Sequence, residues 1–523
     1  MAVETRTTGA QPAALGAALP ALGLGVLALT AFAAMSGRAP TIVLLLAGGG
    51  FAAMLFRYPF LGILIYLTTF LLTYPPALRG VGNLTINNLL GLVMLPLLLW
   101  GTLRDGLGWF LRARPLVFML IVLLIMTTAG SLYNRVEQLG GRASVDLHKG
   151  VESDIAGKRA VPGRQLVRTQ DQNVKFMTRY VFLLFFAFFV RTPAQLKAVL
   201  AMLVGILLLT YSNVSAEAGE AGWGRGRLRV VSEGGSALYT GTNPNKLAFY
   251  ALFCLSFIWY YRSEVRSRLL LPVWALLAGS AIVLVPLTAS RSGLLNLGVF
   301  FAVVIFEGRF SMRKVAGAVA IGILLVAQFG YDVSVLDLML PERAAERVAS
   351  LGADELLLEG QTTTGSFQRR AGNLVTVAKL ISHNPLLGIG LGNYQMALEI
   401  TNPTAMLGPP HNSYFWSAAE GGIVSLALYL AMFGWLLMKL SNFLKDYDAR
   451  FGPVGCEWLV RATRTALILF MVFSMFADVW VNIFFHIVLG ICVATVGIHL
   501  SYAETGVVPG QEPPPESDEA LVL

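Results

Sequence analysis

The chain has 523 residues, of which 56% are hydrophobic and only 13% are charged, and its formal net charge is +9. Its mean hydropathy is +0.67. This composition excludes an ordinary soluble protein and favours a chain that lies largely in lipid. Because the positive charges are spread among apolar stretches, we expect them to set membrane topology and to bind an anion, and we expect no nucleic-acid partner.

Apolar stretches of about 17 to 22 residues recur along the chain, each long enough to cross a hydrocarbon core of about 30 Å. The sequence therefore predicts an all-α, polytopic integral membrane protein with about 12–14 transmembrane helices. In the C-terminal half the predicted spans are 245–260, 269–289, 293–307, 315–330, 411–438, 458–478 and 480–500.

Several short connections on one predicted side carry two or three basic residues each, which indicates that this side is cytoplasmic. Examples are Arg262, Arg266, Arg268, Lys439, Lys445 and Arg450. The alternation places three long loops, 133–175, 215–244 and 331–410, on the extracytoplasmic face. We divide the chain into N-terminal transmembrane helices (1–240), a second transmembrane domain (241–500), and a Pro-rich, acidic cytoplasmic tail (501–523) that we expect to be disordered.

A polar stretch at 385–422 runs into an apolar span, and it contains a histidine at the predicted interface. The pair Pro409–Pro410 predicts that a helix begins near His411, which would place His411 and Asn412 in its first turn, at the positive end of the helix dipole. Glu420 follows about two and a half turns later. A carboxylate at that depth needs a partner, and we expect an arginine to supply it.

Further polar patches occur on the same predicted face, at 241–246, at 290–293 and from 365 onward. Each places polar groups where a helix end meets the interface, as binding of a lipid head group requires. Arg291, in the turn between two spans, offers forked donors that match phosphate oxygens. The alternative for Arg291 is an interfacial anchor.

In their order and spacing these motifs resemble the O-antigen ligase and O-antigen polymerase family. The resemblance rests on Asn-Pro-Asn at 243–245, Ser-Arg-Ser-Gly at 290–293, Arg370 ahead of the run PLLGIGLGNY, and His411–Asn412 followed by Glu420-Gly421-Gly422. It covers about residues 240–500. It implies a GT-C-like membrane enzyme with a long extracytoplasmic loop.

The resemblance further implies glycan transfer on the outer face of the bacterial inner membrane, from an undecaprenyl-diphosphate-linked oligosaccharide to a glycan, lipid or other hydroxyl acceptor. Membrane lipids and other polysaccharide-assembly proteins would be further partners. Both a polymerase and a ligase remain open, and the long loop at 133–175 slightly favours a polymerase because it could hold a second long substrate.

Carried onto this chain, the family's roles give three catalytic candidates: Arg291 and Arg370 for the diphosphate and His411 for the acceptor hydroxyl. Leu374 stands where the family often has tryptophan, so Arg369 is an alternative to Arg370. Whether His411 takes a proton or, protonated, binds phosphate stays open. The substrate-binding candidates are Asn243, Asn245, Lys246, Ser290, Arg369, Asn412 and Glu420.

We expect neither a cofactor nor a metal, because arginines can hold the charge of a departing diphosphate where a metal otherwise would. The Asp-x-Asp motif at 446–448 falls in a predicted cytoplasmic loop and is interpreted as solvated charge. The sequence thus predicts metal-independent, inverting transfer. A transporter or permease of a small anion or solute is the alternative, and it should show paired broken helices and internal symmetry. A non-catalytic scaffold would leave the arginines and His411 unexplained.

Overall fold

The computed structural model describes residues 50, 53–71, 86–105, 115, 117–123, 125, 179–221, 244–288, 290–307, 377–382, 384–394, 397, 410–445, 447–451, 456–477, 479 and 483–505. Within these ranges all regular structure is helical and no strand occurs, which confirms the all-α membrane class. The predictions for the loop at 133–175, the span at 315–330 and the tail beyond Thr505 lie outside them.

The labelled helices follow one another along the chain, and from Pro244 onward all except the short helix at Tyr447–Phe451 agree with the predicted spans to within several residues. They are α1 (Pro59–Leu71), α2 (Ile86–Asp105), α3 (Pro193–Ala221), α4 (Pro244–Tyr261), α5 (Leu271–Leu287), α6 (Arg291–Phe306), α7 (Ser413–Leu444), α8 (Tyr447–Phe451), α9 (Glu457–Ser474) and α10 (Ile483–Thr505). A further apolar helix covers Arg179–Phe189.

Four stretches among the described residues are long and apolar enough to cross a membrane: Pro193–Ser212, Arg268–Leu287, Ser413–Leu444 and Phe484–Glu504. The chain is therefore a multi-pass membrane protein. These four stretches are apolar on most of their surface, so the fraction of each that is buried distinguishes them. On α5 Val273 and Leu276 are exposed, whereas α10 is buried along almost its whole length. We infer that α10 is central and that α5 lies at the lipid boundary.

Aromatic packing holds α4, α9 and α10 together. Phe249 of α4 stacks on Phe473 of α9 with ring centroids 4.6 Å apart, and its edge meets Phe484 of α10 at 6.0 Å. At the other end of the same helices, the rings of Tyr261 and Trp458 lie 5.0 Å apart. Since Phe249 precedes Tyr261 while Phe473 follows Trp458, α4 and α9 run antiparallel.

Ion pairs and hydrogen bonds of a buried histidine stabilise the end of the bundle near Tyr261. The buried carboxylate of Glu307, directly after α6, pairs with Arg464 and lies 3.8 Å from Arg461 in α9. His499 of α10 is also buried, with Tyr447 Oη 2.9 Å from its Nε2 and the Thr495 carbonyl 2.8 Å from its Nδ1. Both ring nitrogens are thus in contacts that suit the neutral imidazole.

Candidate functional site

His411 lies at the entrance to α7, outside the helix itself. The helix begins at Ser413, and Asn412 caps it, because Asn412 Oδ1 accepts hydrogen bonds from the N–H groups of Tyr414 (3.0 Å) and Phe415 (3.1 Å). The expectation that His411 and Asn412 occupy the first helical turn is therefore wrong. An asparagine side chain that satisfies two free N–H groups stabilises the cap position instead.

The backbone of His411 is strained. Its φ is 52°, and it is the one non-glycine residue with positive φ in the described part of the chain. A side chain in this left-handed region costs about 1–2 kcal/mol. Strained positions of this kind concentrate at functional sites. The imidazole is partly exposed, so a ligand can reach it.

Ser413 and Tyr414 tie the entrance of α7 to α9. The Ser413 side chain is fully buried, and its Oγ donates to the Ala477 carbonyl (2.7 Å) and accepts the Val479 N–H (2.8 Å). Tyr414 Oη donates to a backbone carbonyl inside α9, that of Met471, at 2.7 Å. The backbone next to His411 is therefore held by neighbouring elements.

A second polar cluster joins the starts of α4 and α6. Ser290 is buried and caps α6, since its Oγ accepts the Gly293 N–H at 3.0 Å. The same hydroxyl donates to Asn245 Oδ1, in the first turn of α4, at 2.7 Å. Arg291 is the first residue of α6, so its backbone position depends on this contact between the two helices. Lys246 lies partly buried beside Asn245.

Gly293 explains how closely α6 approaches α4. A Cβ built on Gly293 would lie 2.5 Å from the Cβ of Ala248. Only a residue without a side chain fits such a contact between two helices. The final glycine of the Ser-Arg-Ser-Gly motif is thus required by packing, and that packing also keeps Ser290 within reach of Asn245.

The two polar clusters lie at one level of the bundle. Asn245 precedes Phe249 by four residues, about 6 Å along α4. Ala477 follows Phe473 just beyond the end of α9, so on these antiparallel helices both residues lie in the same direction from the stacked rings. Because Ser413 bonds to Ala477, the first residues of α4, α6 and α7 share one end, which we call the His411 end.

The structure therefore brings five of the predicted site residues to the His411 end, together with the backbone of Arg291. They are Asn245, Lys246, Ser290, His411 and Asn412. Of the remaining candidates, those at 243, 369 and 370 lie outside the described residues, and their positions stay predictions, whereas Glu420 lies deeper in α7. Among the described residues, no group of three or more His, Cys, Asp and Glu side chains is placed to hold a metal ion.

The helix α7 is broken at Gly422, where φ is 74° and ψ is 178°. The sequence predicted an uninterrupted span there. A segment that we call the glycine segment, residues 384–394, fills the break with backbone hydrogen bonds. These run from Ile389 N–H to Ala419 O (2.8 Å), from Gly390 N–H to Glu420 O (2.9 Å), and from Ile423 N–H to Pro385 O (2.7 Å).

Glu420 lies at this junction, and its side chain is fully buried. Its Oε1 accepts hydrogen bonds from the N–H groups of Gly392 (3.0 Å) and Tyr394 (3.3 Å). Its Oε2 has no hydrogen-bond partner within the described ranges. The expected arginine partner is not found among the described residues, where backbone amides bind the carboxylate instead.

Sequence reasoning missed the glycine segment as a structural partner of α7, and it missed Ser413 as an anchor. The spacing of Gly388, Gly390 and Gly392 was one available signal, because alternating glycines allow close approach of two backbones. The remaining histidine within a described span, His486, is a fully buried core residue. Its ring meets that of Tyr180 edge-on, with the ring centroids 5.4 Å apart.

A comparison of the sequence with models of known protein families finds a match that covers much of this site. Residues 276–430 match the family described as O-antigen ligase. The match includes Arg291 and His411, and it begins after Asn245. No curated protein matches the chain. Residues 276–430 of this chain are therefore similar to the O-antigen ligase family.

Proposed function

We propose that this membrane protein, with its O-antigen ligase domain, transfers a glycan from an undecaprenyl-diphosphate-linked donor to an acceptor hydroxyl without a metal. The observation that carries the proposal is the gathering of polar groups from the starts of α4, α6 and α7 at the His411 end of the bundle. There a strained, accessible histidine and the start of the helix that begins with Arg291 lie at the same level.

The chemistry requires two kinds of group. Breaking the bond between the anomeric carbon and the diphosphate leaves negative charge on the phosphate oxygens, which arginine side chains can bind. The acceptor hydroxyl must lose a proton, and imidazole accepts protons near neutral pH. We assign the first role to Arg291 and Arg370, with Arg369 as the alternative to Arg370, and the second to His411. Direct attack by the acceptor would invert the anomeric centre.

A histidine that is protonated throughout and binds phosphate is the rival role for His411. The two roles differ in their dependence on pH. A proton acceptor loses activity as the solution becomes acidic, whereas a cationic phosphate ligand loses it as the solution becomes alkaline. The pH profile of transfer, compared between the wild type and His411→Gln, separates them.

We place the His411 end on the extracytoplasmic face of the bacterial inner membrane. The support comes from the opposite end, where the connections beside Tyr261 and after Leu444 carry basic residues, among them Arg262, Arg268 and Lys445. Short basic connections mark the cytoplasmic side of membrane proteins. Labelling of single cysteines introduced at positions 411 and 266 with a membrane-impermeant reagent in intact cells tests this orientation.

Transfer in vitro tests the function itself. Purified protein would be incubated with an undecaprenyl-diphosphate-linked oligosaccharide in the presence of a chelator, and wild type compared with His411→Ala and Arg291→Ala. Arg266→Ala, an exposed arginine at the opposite end, is the matched control. Longer lipid-linked products indicate a polymerase, whereas transfer only after a separate acceptor is added indicates a ligase.

The break at Gly422 is the observation that favours the transporter alternative, because broken helices line many transport sites. In this chain, however, the glycine segment occupies backbone groups at the break. A solute would find few free backbone groups there. Solute flux in proteoliposomes, together with an absence of glycan transfer from any donor, would favour the transporter.

A further inference from the structure

We infer that Glu420 is a positioning residue: it holds the far half of the glycine segment in register on the broken helix α7, and it does not contact the substrate. The segment needs two kinds of attachment. Its first half bonds to α7 through backbone groups, from Pro385 to Gly390. Its second half bonds through the Glu420 carboxylate, at Gly392 and Tyr394.

The chemistry of the junction explains why a carboxylate is present. Gly392 and Tyr394 direct their N–H groups toward one oxygen, and buried N–H groups require an acceptor. The side-chain length matters as well, because aspartate at this position would withdraw the oxygen by about one C–C bond, roughly 1.5 Å.

Burial separates Glu420 from any substrate. Its side chain has no exposed surface, and neither has that of Ala419 beside it. The rings of Tyr394 and Trp416, whose centroids lie 6.3 Å apart, belong to the same small apolar cluster that packs against Ala419. A glycan or diphosphate that approaches the partly exposed His411 would therefore not contact the carboxylate of Glu420.

The glycine segment also packs against the short helix at 377–382. Val377 and Leu380 of that helix are fully buried in the same cluster as Tyr394. In the sequence, Val377 follows Arg370 by seven residues. Glu420 thus helps to hold the segment that packs on the helix at 377–382, which follows in the sequence the arginines to which we assign the diphosphate. This consequence for catalysis rests on the proposed function, whereas the attachment itself does not.

Hydrogen exchange of backbone amides tests the attachment without any substrate. In the full-length protein in detergent, Glu420→Ala should speed exchange at Gly392 and Tyr394 by about tenfold or more, because each amide loses its acceptor. The amides of Ile389 and Gly390 should change much less. Ser425→Ala, which alters another buried polar side chain of α7, is the matched control and should leave all four amides as in wild type.

The variant Glu420→Gln distinguishes a positioning role of Glu420 from a role that requires its negative charge. Glu420→Gln keeps an oxygen that can accept both N–H groups, so it should retain amide protection and most of the transfer rate, with kcat within about threefold of wild type. If Glu420→Ala does not fold, Glu420→Asp, with its retracted carboxylate, takes its place in both measurements. Slow exchange at Gly392 and Tyr394 in the alanine or aspartate variant would overturn the inference.

The transfer assay provides a second, independent outcome. A glutamine variant that keeps its amides protected but is as inactive as Glu420→Ala would show that the charge acts on the reaction, and this would also overturn the inference. If wild type itself transfers no glycan, the proposed function fails, and the exchange experiment still decides whether Glu420 holds the glycine segment.

Discussion

Gly388 and Gly422 meet backbone against backbone. A Cβ on Gly388 would lie 2.5 Å from the backbone nitrogen of Gly422, and a Cβ on Gly422 would lie 2.0 Å from the carbonyl oxygen of Leu386. Both glycines have positive φ, 65° and 74°. No side chain fits at either position, so the contact between the glycine segment and α7 requires glycine at both.

Gly422→Ala should therefore destabilise the protein and abolish transfer. The left-handed backbone alone costs about 1–2 kcal/mol, and relief of the clash with the Leu386 carbonyl requires the glycine segment to leave the break. The measurement is thermal unfolding in detergent, followed by the transfer assay.

Gly434→Ala is the matched control for that experiment, because it lies in the same helix with nothing within 4 Å of an added Cβ. Alanine there should be neutral or stabilising by up to about 1 kcal/mol, since it is the better helix former. Equal unfolding temperatures for the two variants would show that the contact at Gly422 is not required.

Much of this architecture could be predicted from the sequence, for a physical reason. Stretches that are apolar on every side must lie in lipid or in a core, so the spans around Phe249 and Phe473 are evident from composition. Basic residues such as Arg262 mark one end of the bundle. The resemblance of the 290–293 and 411–412 motifs to a known family also indicated the O-antigen ligase domain.

The break in α7 could not be predicted in the same way. The stretches on both sides of Gly422 are largely apolar, with Glu420 the one charged residue, so the pattern continues as though one helix crossed the membrane. The backbone of the glycine segment interrupts the helix. Backbone hydrogen bonds do not depend on the pattern of apolar and polar side chains, so that pattern does not reveal them. The start of the helix was misplaced for a related reason: Pro410 indicated a boundary, but the hydrogen bonds of Asn412 decide where the helix begins.

Gly293→Ala should separate α6 from α4 and reduce transfer. The added methyl group would lie 2.5 Å from the Ala248 Cβ, so the helices must move apart and the hydrogen bond between Ser290 and Asn245 must lengthen. Arg291 moves with Ser290. Overpacking of this kind costs about 1–3 kcal/mol, which thermal unfolding can detect.

The double variant Gly293→Ala with Ala248→Gly tests that explanation, because it removes the methyl group that the first change meets. It should recover a large part of both stability and transfer. Gly279→Ala, in α5 with open space around its Cβ, controls for the loss of a membrane glycine. Failure of the second change to rescue the first would mean that contact with Ala248 is not the cause.

Asn412 should act on stability through its cap. Asn412→Ala removes the acceptor for two N–H groups and should lower the free energy of unfolding by about 1 kcal/mol. Asn412→Asp keeps an acceptor and adds negative charge at the positive end of the helix dipole, so its stability should match wild type. Chemical denaturation of the three proteins measures this order, and an alanine variant as stable as wild type would contradict the cap.

The central claim is that the His411 end transfers glycan from a lipid diphosphate without a metal. The most direct measurement is product formation from an undecaprenyl-diphosphate-linked oligosaccharide by purified protein in excess chelator, with wild type beside His411→Ala. The account predicts glycan transfer by wild type that chelation does not reduce, and its loss in the variant. Transfer that the chelator abolishes and a divalent cation restores, or full activity in His411→Ala, would contradict it.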